Sequence, residues 1–150
     1  MRPLRHVTAP FRVYCGADSL RQLSAELART GVSRAVVFCG QTIARHPDGL
    51  RLVAEALGDR YAGVFDGVKA HSPLPAVLAG AEKLRELGGD GVVAVGGGSV
   101  VVTARASSIL LAEGRDIREL CTQFPSGKSP VSPRLDKPKL PQFVVATTPT

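Results

Sequence analysis

Hydrophobic and polar positions follow two alternating periods along the chain, and these predict helices and strands in turn. Leucine and alanine recur at helical spacing from Ser19 to Thr30, and Gly31 follows where a helix end favours a left-handed residue. The next apolar run, from Arg34 to Gly40, is entered from a turn and left through glycine, which is typical of a buried strand. We therefore expect a first helix followed by a first buried strand.

The same succession repeats in the middle of the chain. A helical pattern begins at Pro47 and closes at Gly58. An extended segment then runs from Tyr61 into an expected turn at Asp66 and Gly67. A third unit of helix and strand follows this segment.

That third unit contains the most regular part of the sequence. Ser72 and Pro73 mark the start of a helix over residues 71–87, and the stretch GVVAV at 91–95 reads as a fully buried strand. A further helix is expected over residues 99–114. Strands and helices that alternate with short connections predict a parallel sheet covered by helices.

Two segments depart from this alternation, and one more strand follows. The opening, from Leu4 to Tyr14, alternates polar and apolar residues as a short hairpin or edge ribbon would. Residues 121–141 hold five prolines and no usable period, so we expect a long exposed loop or hairpin excursion. A buried strand resumes over Phe143 to Ala146.

The composition and net charge of the chain limit the classes of function that we consider for it. The chain has 150 residues, 44% of them apolar, which fits one α/β domain or the smaller half of a two-domain protein. Its net charge is +6, but the basic residues are scattered, so a phosphate-bearing small molecule explains the surplus as well as nucleic acid would. No apolar run approaches the roughly 20 residues of a membrane span. Cys15, Cys39 and Cys121 are most simply reduced thiols, so a cytoplasmic location is expected.

Three consecutive glycines, Gly96 to Gly98, stand with Ser99 between the buried strand at 91–95 and the helix that follows. Glycines let an anion approach the backbone, and the free N–H groups at a helix start favour a phosphate there. The same residues also fit a tight turn without any ligand, since Val101 breaks the dinucleotide pattern GxGxxG. The residues alone leave both interpretations open.

The stretch GGGSVVVTARA, residues 96–106, resembles the GGGSxxDxAK signature of the iron-containing alcohol dehydrogenase family. Relatives in that family include glycerol dehydrogenase, maleylacetate reductase and dehydroquinate synthase. The resemblance covers the whole chain, because RAVVFCG, FDGVKAHSP and LPQFVVATTPT occur in the family's order. FDGV and SPRLDKPKLP favour the maleylacetate reductase side of the family.

The resemblance implies a fold and an activity. The fold is a Rossmann-like parallel sheet with helices on both faces, so residues 1–150 form the N-terminal NAD(P)-binding domain. A helical second domain outside this chain is expected to hold a divalent metal, iron or zinc. The implied reaction is reversible hydride transfer between NAD(P)H and a small aldehyde, ketone or alcohol. We expect a homodimer that binds neither nucleic acid nor membrane.

The resemblance also implies which residues contact the cofactor. The glycine turn is expected to bind the pyrophosphate, and two threonines match family positions near the nucleotide. Gly40 stands where many relatives have an aspartate that accepts hydrogen bonds from ribose, so NADP becomes possible and NAD is not excluded. The full set of cofactor-binding residues is Gly40, Gly96, Gly97, Gly98, Ser99, Thr147 and Thr148.

The sequence departs from the signature at two positions, which keeps other functions open. Val102 replaces the aspartate, and Arg105 replaces the lysine while keeping its charge. The alternatives are a lyase that uses NAD transiently, like dehydroquinate synthase, and a nucleotide-binding module without catalysis. We assign no catalytic residue within this chain.

The remaining candidates favour structural roles. No histidine is assigned to a metal, because His6, His46 and His71 are widely spaced. Cys39 fits a small buried apolar residue better than a reactive thiol, and Asp66 fits a turn cap at least as well as a substrate contact. A solvated loop is expected for four basic residues: Lys128, Arg134, Lys137 and Lys139.

Overall fold

The computed structural model describes residues 11–148 of the chain. Short 3₁₀ turns at Ser19–Arg21 and Gly58–Arg60 extend two of the regular elements. The helices and strands in this part of the chain follow in this order: α1 (Gln22–Arg29), β1 (Ala35–Gly40), α2 (Gln41–Ala44), α3 (Gly49–Leu57), β2 (Tyr61–Val68), α4 (Leu74–Glu86), β3 (Gly91–Gly96), α5 (Gly98–Glu113) and β4 (Gln142–Ala146).

The four strands form one parallel sheet in the order β2-β1-β3-β4. The chain moves from β1 to β2 in one direction, with α2 and α3 on one face. It then returns across β1 to β3 in the other direction, with α4 on the opposite face. Reversing both direction and face gives the two crossovers the same hand, as the crossover rule for parallel sheets requires.

Alternation along the central strands divides the core into two layers. Ala35, Val37 and Cys39 of β1 face α1 and α3, while Val36 and Phe38 face α4 and α5. All five residues have no exposed surface. Because β1 is buried on both faces, its sequence is a continuous apolar run rather than an alternating one. The predicted Rossmann-like sheet with helices on both faces is confirmed.

The predicted helices and strands are found with small shifts at their ends, but two expectations are wrong. The strand at Gln142–Ala146 is only partly buried, with Val144 48% exposed, because it is the last strand in the order of the described sheet. The turn expected at Asp66 and Gly67 is also wrong. Those two residues belong to β2, which continues to Val68, and Val68 pairs with Gly40 of β1. Pairing along a neighbouring strand outweighs the local preference of an Asp-Gly dipeptide for a turn.

The expected N-terminal hairpin falls partly outside the described residues, which begin at Phe11. Residues 11–14 form no strand. Instead, Arg12 and Tyr14 each donate a hydrogen bond to Glu26 of α1, at 3.0 and 2.7 Å. A hydrogen bond from Arg29, together with these two contacts, lowers the pKa of Glu26 to about 2. The start of the described chain is thereby attached to α1 by polar contacts.

Helices α4 and α5 approach each other closely at Gly80. A Cβ atom on Gly80 would lie 2.5 Å from Ser107 Oγ and 2.7 Å from a ring atom of Phe38. The Ser107 hydroxyl also donates to the Val77 carbonyl at 2.9 Å, so a buried polar contact joins the two helices. This packing fixes the position of α5, and therefore the glycine turn at its start.

The proline-rich segment is mostly exposed, as expected, with one antiparallel bridge between Gln123 and Val131. Its two last lysines are not simply solvated, however. Lys139 donates to the buried Glu113 carboxylate at 2.6 Å, and Lys137 Nζ donates to the Glu113 carbonyl at 2.8 Å. The hydrogen bond from Lys139 lowers the pKa of Glu113. This ion pair attaches the excursion to the end of α5.

Among residues 11–148, no helix is both long and apolar enough to cross a membrane.

Candidate functional site

The strand order makes the connections diverge at the carboxyl ends of β1 and β3, and we call the space outside these two strand ends the crevice. The chain leaves β1 toward β2 on one side and leaves β3 toward β4 on the other, so the connections diverge between β1 and β3. In open α/β sheets, ligands bind outside the carboxyl ends of the strands at this kind of divergence. Gly40 ends β1 and Gly96 ends β3, so both lie at this edge.

The turn after β3 presents backbone donors at this edge. Gly97 is the N-cap of α5, and no side chain caps the helix there. Among the contacts of the described residues, no backbone acceptor is found for the N–H of Gly97, and Gly98 and Ser99 begin the first helical turn, where N–H groups lack intrahelical partners. The positive end of this 16-residue helix favours an anion at the same point.

The three glycines of the turn differ in whether the structure requires glycine at their position. Gly96 has φ 150°, a conformation that side chains rarely adopt. Gly97 has an ordinary extended backbone, but a Cβ there would lie 2.8 Å from Thr148 Oγ1. A Cβ on Gly98 would meet nothing within 4 Å. The fold therefore requires glycine at Gly96, gives Gly97 only a close contact with a movable side chain, and leaves Gly98 without a structural requirement.

The two threonines after β4 lie beside the same turn. Gly96 pairs with Ala146 of β4, and the Thr147 N–H donates to the Gly96 carbonyl at 3.2 Å. The Thr148 hydroxyl lies next to Gly97, so a Cβ there would require the exposed Thr148 side chain to move. Both threonines are exposed. The structure thus brings the residues predicted from three separate segments to one edge of the sheet.

Ser99 is held by the connection between β2 and α4. Its hydroxyl oxygen accepts a hydrogen bond from the His71 N–H at 3.1 Å, and its carbonyl accepts one from the Ser72 hydroxyl at 2.9 Å. The sequence analysis missed this pair of contacts. No sequence pattern indicated them, because the contacts join residues 27 and 28 positions apart through a backbone conformation that neither residue type favours.

Gly40 is not required to be glycine by its own conformation. Its φ is −92° and its ψ is 167°, which any residue adopts, and a Cβ there would lie 3.7 Å from the nearest atom, the Val68 carbonyl oxygen. The next residue, Gln41, donates to the Asp66 carboxylate at 2.8 Å. Asp66 therefore contacts the β1 edge of the crevice and does not cap a turn.

The signature positions share one exposed face of α5. Gly98, Val102 and Arg105 are four and three residues apart, so their side-chain directions align along the helix. Val102 is 55% exposed, although it is apolar and lies one helical turn from the glycine turn. Arg105 makes a long 3.4 Å contact with Gln142. Beyond Arg105, a groove of about 360 Å³ is bordered by Lys137 and Lys139.

The histidines and cysteines considered in the sequence analysis do not form a reactive cluster at the crevice in the described part of the chain. His46 and His71 are exposed, and His46 accepts the Asp48 N–H at 3.2 Å; His6 lies outside the described residues. Across residues 11–148, no group of three or more His, Cys, Asp or Glu side chains is arranged to hold a metal ion. Cys39 is fully buried in β1, in agreement with its interpretation as a small apolar residue.

Comparisons with known proteins agree with this geometry. The family described as iron-containing alcohol dehydrogenase matches residues 10–150. Maleylacetate reductase of Sphingobium indicum is 39% identical over 102 residues, which cover 68% of this chain and 28% of that protein. The chain therefore spans less than a third of the length of this relative.

Solved structures extend the comparison to the fold. The crystal structure of maleylacetate reductase from Rhizobium sp. strain MTP-10005 superposes with a TM-score of 0.65 and 28% identity, covering 97% of this chain and 43% of that one. NADH-dependent butanol dehydrogenase A from Thermotoga maritima, at 24% identity, has a TM-score of 0.71 over 88% of this chain and 31% of that one. The expected similarity to maleylacetate reductases is confirmed.

The three cysteines are expected to differ sharply in reactivity. Burial raises the pKa of the Cys39 thiol to about 11, and the nearby Asp66 charge acts in the same direction. The thiolate is the reactive form, so Cys39 should resist alkylation near neutral pH while the exposed Cys15 and Cys121 react. Mass spectrometry after iodoacetamide treatment checks this, with urea-unfolded chain as the control in which all three react. Labelling of Cys39 in the folded chain at the rate of Cys15 would contradict its placement in the core.

Proposed function

Since the chain belongs to the iron-containing alcohol dehydrogenase family, we propose that it is the cofactor-binding part of an NAD(P)-dependent oxidoreductase. The proposed reaction is reversible hydride transfer between NAD(P)H and a small carbonyl compound or alcohol. The nicotinamide cofactor supplies or accepts the hydride when it is bound. The residues described here bind and orient that cofactor.

The observation that carries this proposal is the open space at Gly98. A Cα–Cβ bond in a helix tilts toward its N-terminus, so a side chain at this first helical position would project over the free N–H groups of the turn. The fold does not require glycine at Gly98, since a Cβ there would contact nothing. A pyrophosphate that occupies this space would explain why residue 98 is glycine, which packing does not explain.

The proposed roles follow from the contacts around the turn. The N–H groups of Gly97, Gly98 and Ser99 donate to pyrophosphate oxygens, and the dipole of α5 stabilises their negative charge. Gly96 supplies the sharp change of direction between β3 and α5. Thr147 and Thr148, exposed beside the turn, contact the part of the nucleotide that extends toward β4.

Gly40 is proposed to lie beside the adenosine ribose, at the end of β1. The absence of a carboxylate leaves room for a 2′-phosphate, so NADP as well as NAD is accepted. Because the Gly40 backbone is ordinary and its surroundings have space, glycine at this position is a matter of ligand contact rather than of folding.

The names of the relatives suggest the first substrate to test. Several curated proteins of 30–39% identity are called maleylacetate reductase. We therefore propose maleylacetate as the first candidate among small carbonyl substrates. Residues that contact the substrate are proposed to lie in the rest of the protein, since the chain covers 28% of the Sphingobium relative.

The metal named in the family description does not fit the described part of this chain. His46 is occupied with the Asp48 N–H, and residues 11–148 contain no cluster of metal-ligating side chains. We therefore derive no step of the reaction through a metal from these residues. Any iron or zinc is proposed to be held by a second, helical domain.

A nucleotide-binding module without catalysis is the second candidate, and Val102 is the observation that favours it. This exposed valine stands one turn from the proposed pyrophosphate site, at the signature position of an aspartate. An apolar side chain there accepts no hydrogen bond from a cofactor or substrate. Cofactor binding without turnover by the whole protein would support this second function.

Enlarging Gly98 tests the proposed site with little effect on folding. Gly98→Ala and Gly98→Leu place good helix formers in open space, so the midpoint of thermal unfolding should stay level or rise. Affinity for NADH and NADPH should fall in order of side-chain size, by about tenfold or more for leucine, the scale of a lost hydrogen bond to a charged group. Nicotinamide fluorescence titration measures both affinities.

Folded Gly98→Leu with wild-type affinity for both cofactors would contradict the proposed site. Gly97 is the less suitable position for this test, because a side chain there would contact Thr148. A change in cofactor affinity could then come from altered local packing.

Introducing a carboxylate at position 40 tests the proposed selectivity between NADH and NADPH. Gly40→Asp should lower affinity for NADPH relative to NADH by roughly five- to tenfold, because a carboxylate repels the 2′-phosphate at short range. Gly40→Asn is the matched control with nearly the same shape and no charge, and it should shift the NADPH to NADH ratio much less. Equal shifts in the two variants would mean that charge at this position does not face the 2′ side of the ribose.

A further inference from the structure

A groove lies between the second half of α5 and the end of the proline-rich segment. Its volume is about 360 Å³, which is within the range of pockets that bind small molecules. Arg105 is the first groove residue along α5 and follows Gly98 by seven residues. At a rise of about 1.5 Å per residue, it lies roughly 10 Å along the helix from the glycine turn. The groove is therefore not part of the proposed cofactor site.

Contacts within the protein hold the two walls of the groove together. The Leu140 N–H donates to the hydroxyl of Ser108 on α5 at 3.2 Å. Two lysines of the proline-rich segment, Lys137 and Lys139, donate to Glu113 at the end of α5. The walls are thus in place before a ligand arrives, which lowers the conformational entropy that binding would cost.

Both walls of the groove carry apolar side chains. Ile109 lies on the α5 wall, and Leu135 and Leu140 lie on the wall formed by the proline-rich segment. Leu135 keeps 40% of its surface exposed. An apolar body in the groove would cover this surface, and removal of apolar surface from water favours binding.

The charged residues that line the groove are all basic. They are Arg105, Lys137 and Lys139, and no acidic residue of the described chain joins them. The Glu113 carboxylate offsets the charge of Lys139, with which it pairs at 2.6 Å. Lys137 Nζ donates to the Glu113 carbonyl, and no carboxylate pairs with it among residues 11–148. A net positive charge therefore remains at the groove.

Arg105 has the donor groups that a carboxylate needs. The Gln142 side-chain NH₂ group donates to the Val101 carbonyl at 3.0 Å, which leaves the amide oxygen for Arg105 Nε at 3.4 Å. The two terminal amino groups of Arg105 have no acceptor in the described part of the chain. A guanidinium binds a carboxylate through two parallel hydrogen bonds. Arg105 is therefore the expected contact for an anionic head group.

The Ser108 hydroxyl supplies a second polar contact beside Arg105. Ser108 follows Arg105 by three residues on α5, so both lie on one side of the helix, and both line the groove. Ser108 is only 4% exposed, and its oxygen accepts the Leu140 N–H. Its hydrogen has no acceptor among the residues that the structure describes. An acceptor in the groove would satisfy this buried donor.

We propose that this groove binds a small carboxylic acid with an apolar body, with Arg105 and Ser108 on the carboxylate and Leu135 against the body. The positive charge selects an anion, and the apolar side chains select one that carries a hydrocarbon chain or ring. The inference goes beyond the proposed function and does not depend on NAD(P) binding at the glycine turn.

Octanoate is the test ligand, and amide chemical shifts of the ¹⁵N-labelled chain locate where it binds. We expect saturable shifts at Ser108, Ile109 and Leu140. Acetate supplies the carboxylate alone and octanol the apolar body alone, so each should bind about tenfold more weakly or worse. ADP-ribose, which is expected at the glycine turn, should not compete with octanoate.

Two variants assign the contacts of the acid. Arg105→Gln should weaken octanoate by about fivefold or more, the scale of a lost hydrogen bond to a charged group. Arg21→Gln makes the same change next to α1, on the opposite face of the sheet, and should leave the affinity unchanged. Leu135→Ala, in an exposed segment, should weaken octanoate by about threefold through lost apolar contact, with little change in the thermal unfolding midpoint.

Several results would overturn the proposal. They are the absence of saturable shifts at millimolar octanoate, equal binding of acetate and octanoate, and wild-type affinity in folded Arg105→Gln. Octanoate shifts at Gly97 and Gly98 that ADP-ribose abolishes would place the acid at the glycine turn instead. Shifts of the groove amides that depend on chain concentration without octanoate would mean that a second copy of the chain occupies the groove. Failure of ADP-ribose to bind would count against the proposed function alone.

Discussion

The parallel pairing of β1 with β3 is the interaction on which the proposed site depends. Their register, from Ala35 opposite Gly91 to Phe38 opposite Ala94, brings the carboxyl ends of both strands to one edge of the sheet. Because the connections leave these two strands in opposite directions, no crossover passes over the space outside their carboxyl ends, which is where ligands bind in open α/β sheets. Gly40 and the glycine turn border that crevice as a consequence of strand order, although more than fifty residues separate them.

The turn itself combines structural and ligand-directed requirements in adjacent positions. The positive φ of Gly96 requires glycine, a Cβ on Gly97 would displace the Thr148 side chain, and a Cβ on Gly98 would contact nothing. Family membership and the open space at Gly98 therefore support cofactor binding independently of each other. Val102, on the same face of α5, marks where the chain departs from the signature without disturbing the turn.

Much of the fold could be predicted because local periodicity and burial agree along most of the chain. The strand at Ala35–Gly40 is apolar throughout because both its faces are covered, so its burial can be predicted from the sequence alone. Asp66 and Gly67 were misjudged because pairing with β1 is a long-range contact that a dipeptide does not encode. The contact of Lys139 with Glu113 was missed for the same reason. The positions of the predicted cofactor residues at one edge follow from topology, while their contact with a nucleotide stays a prediction.

Amide chemical shifts test the central claim most directly, because they report on individual N–H groups as ligand is added. In a ¹H–¹⁵N spectrum of the labelled chain titrated with ADP-ribose, the account predicts the largest shifts at Gly97, Gly98 and Ser99. Smaller shifts are expected at Thr147 and Thr148. Saturable shifts confined to the groove near Arg105, Lys137 and Lys139, with the glycine turn unmoved, would contradict it.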